Sequence, residues 1–182
     1  MQIVDTAIAD VKIIEPKVFG DERGFFLETW RADWLSEIAP GLSFVQDNHS
    51  RSVKGVLRGL HYQIRHPQGK LVRVVAGAVF DVAVDVRPGS ATFGQWTGAE
   101  LSAENKRMMW VPPGFAHGFL TLRDGTEFLY KCTDYYAPEW ERAVAWNDPE
   151  LAIAWPLAAG ETPSLSAKDA DAPPLKAAEL AA

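Results

Sequence analysis

The chain has 182 residues, 47% of them hydrophobic and 23% charged, enough to bury one sizeable core. A net charge of -6 and the lack of any long Lys/Arg run argue against a surface built for nucleic acid or an anionic membrane, so an anionic ligand would have to meet a local cluster of cations. A single cysteine, Cys132, excludes an internal disulfide and a zinc site of several thiolates. The opening MQIVDTAIAD has no basic region leading into an apolar core, and no apolar run approaches a membrane span, so a cytoplasmic protein is expected.

In chain order, the first strand signal covers residues 12–19. A short helix is predicted over 31–39, closed by Pro40-Gly41, followed by strands over 44–48 and 56–63. Residues 70–86, KLVRVVAGAVFDVAVDV, read as two strands separated by a turn or bulge at Gly77. Within them Phe80, Val82, Val84 and Val86 alternate with Val79, Asp81, Ala83 and Asp85, so one face is uniformly apolar and the other mixed. Further strands are predicted over 108–111, 118–122 and 126–134, and an Ala-rich helix over 167–182 is interrupted by Pro173-Pro174. Many short strands with frequent turns predict an all-β fold, best met by a jelly-roll barrel with a few short helices near its ends. No linker divides the chain, so 1–182 is read as one domain whose tail, from about residue 157, packs on the barrel.

A jelly roll with His49, His61, His66 and His117 raises the question of a metal-binding cupin. Such sites use a cluster of His and carboxylate ligands, usually with two histidines one residue apart. The segment GLHYQ at 59–63 carries one, and PGFAHG at 113–118 resembles the second cupin motif and adds His117. Two imidazoles without the close pair are a poor donor set, so the barrel is read as metal-free. His117 also reads as a loop residue that shapes the start of a strand.

His61 lies in a strand interrupted by Gly59. Strict alternation sends Arg58 and His61 to opposite faces; a bulge at Gly59 would return both to one cavity. Taken alone, His61 reads as a core histidine bonded to a backbone carbonyl, and only its neighbours support a base. The run DERGFFLE at 21–28 reads by spacing as an exposed turn. Gln46-Asp47-Asn48 is either a cap or a polar triplet for a base or sugar. Lys70 faces the cavity or decorates an edge. Tyr130 sits in an apolar strand where its hydroxyl needs a partner, so it is structural or a proton donor.

The stretches EPKVFGDERGFFLETW, FVQDNHSRS, VLRGLHYQ, GKLVRVVAG, VFDVAVDVR, TFGQW, LSAENKRMMWVPPGFAHGF, EFLYKCTDYY and LSAKDA, taken together and in order, resemble the dTDP-4-dehydrorhamnose 3,5-epimerase family. Each is weak alone, but the likeness runs from Thr6 to about Leu175. It implies a cupin-like jelly roll, a homodimer with exchanged strands, a dTDP-sugar substrate, and neither metal nor organic cofactor. It implies His61 as general base, Asp169 as its partner, Lys70 beside the enolate and Tyr130 as proton donor. It also implies substrate contacts at Arg23, Glu28, Gln46, Asp47, Asn48, Arg58, Lys70, His117, Glu141 and Lys168, with Tyr136 stacking on thymine. The loop IRHPQ at 64–68 is a local departure that leaves the role of His66 open.

The implied reaction inverts C3 and C5 of dTDP-4-dehydro-6-deoxy-D-glucose to give dTDP-4-dehydro-β-L-rhamnose. The C4 ketone acidifies both hydrogens, and a base that titrates near neutrality suits their removal. A carboxylate fixes the imidazole tautomer, a cation stabilises the enolate, and a donor on the other face inverts the centre. Arg23, Arg58 and Lys168 are the cations expected on the diphosphate. The alternatives are a single-centre epimerase, a 3,4-ketoisomerase, a metal-dependent cupin and a non-catalytic sugar binder.

Overall fold

Short runs of alternating residues, punctuated by glycine and proline, fold here into antiparallel strands in a computed structural model that describes residues 1–158 and 160–181. The strands are β1 (Gln2–Asp5), β2 (Lys12–Glu15), β3 (Val18–Asp21), β4 (Gly24–Leu27), β5 (Gln46–Ser52), β6 (Leu57–Gln63), β7 (Lys70–Ala76), β8 (Ala78–Asp85), β9 (Trp96–Ser102), β10 (Met108–Val111), β11 (Phe115–Thr121), β12 (Thr126–Cys132) and β13 (Glu141–Ala143). The helices are α1 (Ala32–Ile38) and α2 (Ala167–Ala170). One sheet runs β1-β2-β10-β7-β12-β5 and a second β13-β6-β11-β8-β9, while β3 and β4 form a separate hairpin. This is the expected jelly-roll architecture. No helix among the described residues is long and apolar enough to cross a membrane.

The two sheets close on an inner core that takes Val72, Val74, Met109 and Phe128 from the first and Val79, Ala83, Leu101 and Phe119 from the second. The outer face of the second sheet is covered by Leu151, Ile153, Trp155 and Leu175 of the C-terminal segment. On the first sheet, Leu35 of α1 covers Ile14, Leu71, Met108 and Trp110. Strand β8 resolves its own alternation: Phe80, Val82 and Val84 point out beneath the C-terminal segment, and Val79 and Ala83 point into the barrel. The uniformly apolar face is therefore the one under the tail. The mixed face, with Asp81, is the one turned inward.

Several boundaries differ from expectation for local reasons. The run 12–19 divides into β2 and β3 around Pro16, which has no N–H to donate to a ladder. The strand expected over 44–48 is β5, QDNHSRS, whose polar sequence carries no apolar alternation; its period of two shows only in burial. β9 was not expected, because Gly98 weakens its strand signal. That glycine makes room for a neighbour, since a Cβ there would lie 2.8 Å from the Phe80 ring. The C-terminal helix stops at Ala170, ahead of Pro173-Pro174, and only a 3-10 turn follows at Leu175–Ala177.

A bulge lies in β6. His117 of β11 pairs with His61 while Phe119 pairs with Arg58, so Gly59 and Leu60 together oppose Gly118 alone. Gly59 has φ of +110°, and a Cβ on it would sit 2.5 Å from the His117 carbonyl oxygen and 2.6 Å from Gly118 Cα. Gly59→Ala should cost about 2–3 kcal/mol. Calorimetry should record a melting midpoint lower by roughly 5–10 °C.

Candidate functional site

The extra residue in β6 changes the parity of the strand, so Arg58 and His61 border the same interior cavity, about 230 Å³ in volume. β6 and β11 of the second sheet supply Arg58, His61 and His117; β7 and β12 of the first supply Lys70 and Tyr130. Phe119 and Phe128, stacked at 4.3 Å between centroids, form an apolar wall.

Asp169 reaches this cavity because the chain near the C-terminus runs beside the start of β6. Ser164 N–H donates to the Gly55 carbonyl at 2.8 Å, and Leu57 N–H donates to the Ser164 carbonyl at 3.0 Å. Helix α2 then begins with Ser166 as its N-cap, its Oγ accepting from Asp169 N–H at 3.2 Å and donating to Asp169 Oδ2 at 2.8 Å. The other oxygen, Oδ1, lies 2.5 Å from His61 Nε2. Burial pushes the Asp169 carboxyl up, but hydrogen bonds from His61, Ser166 and the Gly59 backbone outweigh it and hold the group below the usual carboxylate range. A carboxylate can only accept, so Nε2 carries the hydrogen and Nδ1 keeps a free lone pair.

On its Nδ1 side His61 meets Glu141 Oε1 at 3.9 Å. Glu141 Oε2 accepts from the Tyr136 hydroxyl at 2.7 Å and also from the Lys168 ammonium. That bond is the main reason the Tyr136 hydroxyl is pushed up to about 12. Tyr136 is 53% exposed and borders the mouth of the site with Pro67, Gln68 and Glu141. Lys70 is desolvated, and burial pushes its ammonium down; burial pushes the Tyr130 phenol up, so its hydroxyl stays protonated at neutral pH. Arg58 donates through Nε and Nη2 to Ser52 Oγ, both at 3.2 Å. Among the described residues neither Arg58 nor Lys70 makes an ion pair, which leaves two cations to face an incoming anion.

Not all the expected residues gather here. Gln46 and Asn48 brace the site: Gln46 Oε1 accepts from Tyr136 N–H at 2.9 Å and its Nε2 donates to Asn48 Oδ1 at 3.1 Å. Asp47, one residue out of phase, lies on the outer face and pairs with Lys131 at 2.9 Å. Arg23 pairs with Asp21 within the β3–β4 hairpin, Glu28 pairs with Arg31, and neither borders the cavity. His66 lies 3.4 Å from Asp134 at the rim. Three contributors carried no assigned role in the sequence. Ser166 was visible as a Ser-x-x-Asp cap. Gln63 ties loops together through Nε2 to the His66 carbonyl and Oε1 from Ala137 N–H. Asp81, bonded to His117 Nε2 at 3.0 Å, stood out only by strand parity. Among the described residues no group of three or more His, Cys, Asp or Glu side chains is arranged to hold a metal ion.

A jelly roll holding an imidazole–carboxylate pair, a desolvated lysine and a protonated tyrosine around one cavity defines a cupin-like enzyme of proton transfer. The chain belongs to the dTDP-4-dehydrorhamnose 3,5-epimerase family, whose profile matches residues 5–177. The enzyme of that name from Pseudomonas aeruginosa is 62% identical over 170 residues, which make up 93% of each chain. A Neisseria gonorrhoeae relative of the same name is 60% identical over 93% of this chain, which spans only 51% of that longer protein. The crystal structure of dTDP-6-deoxy-D-glucose-3,5-epimerase from Legionella pneumophila Philadelphia 1, in complex with dTDP-4-keto-L-rhamnose, superposes with a TM-score of 0.93. It is 59% identical, and the match covers 97% of this chain and 93% of that one.

The depressed Asp169 carboxyl predicts a pH signature. Its stabilising effect is fully present above the unfolded carboxylate value, about 3.9, and is lost as pH falls through the lower folded value. Asp169→Asn should therefore unfold at lower urea than the parent at pH 7, by about 1–3 kcal/mol. Urea titrations at decreasing pH should show that gap close below pH ~4.

Proposed function

We propose that this chain epimerises C3 and C5 of dTDP-4-dehydro-6-deoxy-D-glucose to give dTDP-4-dehydro-β-L-rhamnose. The observation that carries this reading is the placement of His61 and Tyr130 on opposite sheets, facing one cavity. His61 Nδ1 removes the proton beside the ketone, and Asp169 stabilises the imidazolium as it forms. Lys70 stabilises the oxygen of the enolate. Tyr130, a phenol that burial pushes up, gives its proton to the far face of the same carbon. The balance closes when His61 releases a proton to solvent and Tyr130 regains one. Arg58, His117 and Lys168 take the nucleotide-sugar anion, and the exposed Tyr136 ring stacks on thymine. The atoms and electrons of this reaction balance without a cofactor.

In deuterated buffer the substrate should gain deuterium at both carbons, read by NMR; exchange at neither removes the proposal. His61→Ala should abolish exchange while the circular dichroism spectrum survives. Tyr130→Phe should separate the steps, retaining wash-in of deuterium while losing most of the inverted product. Lys70→Ala should lower turnover by about 100- to 1000-fold.

A homodimer with exchanged strands belongs to the same proposal. The β3–β4 hairpin exposes Phe19, Phe25 and Phe26, an apolar surface that one chain leaves uncovered. β5 ends the six-stranded sheet with an open edge. Exchange of the hairpin would carry Arg23 and Glu28 to the partner's cavity and account for their distance from their own. Co-expressed Arg23→Ala and His61→Ala subunits should recover activity that neither variant has alone, because one site of each mixed dimer keeps both residues. No recovery, with mixed dimers present by mass spectrometry, overturns the exchange. A cytoplasmic location completes the reading and is supported by the lone, buried, unpaired Cys132.

A further inference from the structure

Asp81 is fully buried and takes no part in the reaction proposed above. Both its oxygens approach His117 Nε2, at 3.0 and 3.1 Å, and among the described residues no other side chain hydrogen-bonds to it. A carboxylate removed from water and served by one donor is costly to keep unless positive charge lies close by. The strand register shows what is near. β11 sets His117 opposite His61 of β6 on one side and, on the other, diagonal to Asp81 of β8. Arg58 and His61 of β6, Lys70 of β7, Tyr130 of β12 and Asp169 of α2 border the same cavity, Cys132 lies buried at the end of β12, and β9 places only Ala99 opposite Asp81. Burial pushes the Asp81 carboxyl above the usual carboxylate range, and of these neighbours His117 and Lys70 pull it back only in part.

We propose that Asp81 is a positioning residue that acts through His117, holding the imidazole in one ring orientation at the cavity wall and supplying the negative charge against which His117 donates to an anionic oxygen of the substrate. The proposal rests on the reading of the site as an epimerase centre. It assigns Asp81 to the second of two imidazole–carboxylate pairs on neighbouring strands: His61 with Asp169 handles protons, and His117 with Asp81 handles charge. The anionic oxygen belongs either to the diphosphate or to the enolate.

The test is a double-mutant cycle of Asp81→Asn and His117→Ala, with dTDP binding followed by calorimetry, solvent exchange by NMR and folding by thermal melting. Asparagine keeps the size and the acceptor and removes the charge. If the oxygen is a diphosphate oxygen, D81N should weaken dTDP binding by about 10- to 100-fold. If it is the enolate oxygen, dTDP binding holds and the exchange rate falls by a similar factor. In both cases the melting temperature holds, and D81N adds nothing in the H117A background. Asp81→Ser runs the same cycle should asparagine fold poorly. A silent D81N overturns the role of Asp81 and leaves the epimerase reading standing, as does a D81N effect equally large in the H117A background. Parent enzyme that neither binds dTDP nor exchanges deuterium removes both.

Discussion

Two residues of β6 stand opposite one residue of β11, and the rest of the site depends on that mismatch. Without it, Arg58 and His61 would lie on opposite faces, one in the barrel and one under the C-terminal segment. With it, both border the cavity, while Leu60 and Tyr62 turn out to meet Leu151 and Leu175. The bulge also leaves the Gly59 backbone N–H available to support Asp169. Only glycine fits, because the β11 backbone comes closer to this position than any side chain allows. One backbone irregularity therefore orients the imidazole, admits a neighbouring cation and helps to hold the carboxylate.

Charge is distributed to match. The chain is acidic overall, yet Arg58 and Lys70 at its cavity lack carboxylate partners among the described residues, while many other cations are paired, as Lys12 is with Asp5 and Arg123 with Glu104. Desolvation makes Lys70 costly when the cavity holds no anion and strengthens its attraction to one that enters, while Arg58 keeps contact with solvent. Glu141 limits this at the rim, where it holds Tyr136 and Lys168 together beside His61.

The alternation of β8, the break at Gly77 and the short α1 were legible in the sequence because each follows a local rule of period or punctuation. β5 was placed too early, since a strand with polar residues on both faces has no hydrophobic period to read. β9 was hidden because its glycine serves a neighbour's ring. Within the site, residue type and family likeness indicated His61, Lys70, Tyr130 and Asp169, and the structure brings all of them to one cavity. Asp47 was indistinguishable from Gln46 and Asn48 in a polar triplet; its face is set by pairing to β12, a contact distant in sequence. Asp81 resembled any polar residue on a mixed face until the packing showed that face to be the inner one.

The sandwich itself bears on stereochemistry. Inversion requires that a proton leave one side of a carbon and another arrive on the opposite side, so base and donor must stand apart with the substrate between them. A site built on one strand or one sheet face would place both on the same side. Here His61 comes from the five-stranded sheet and Tyr130 from the six-stranded sheet. The gap between sheets is filled by hydrophobic side chains elsewhere in the barrel, and by a cavity at this level. The distance across a jelly roll, about 10 Å between facing sheets, accommodates a six-membered sugar ring with a side chain on each face. On the proposed assignment of base and donor, the two half-reactions therefore fall to different sheets, proton removal to β6 and delivery from the opposite face to β12.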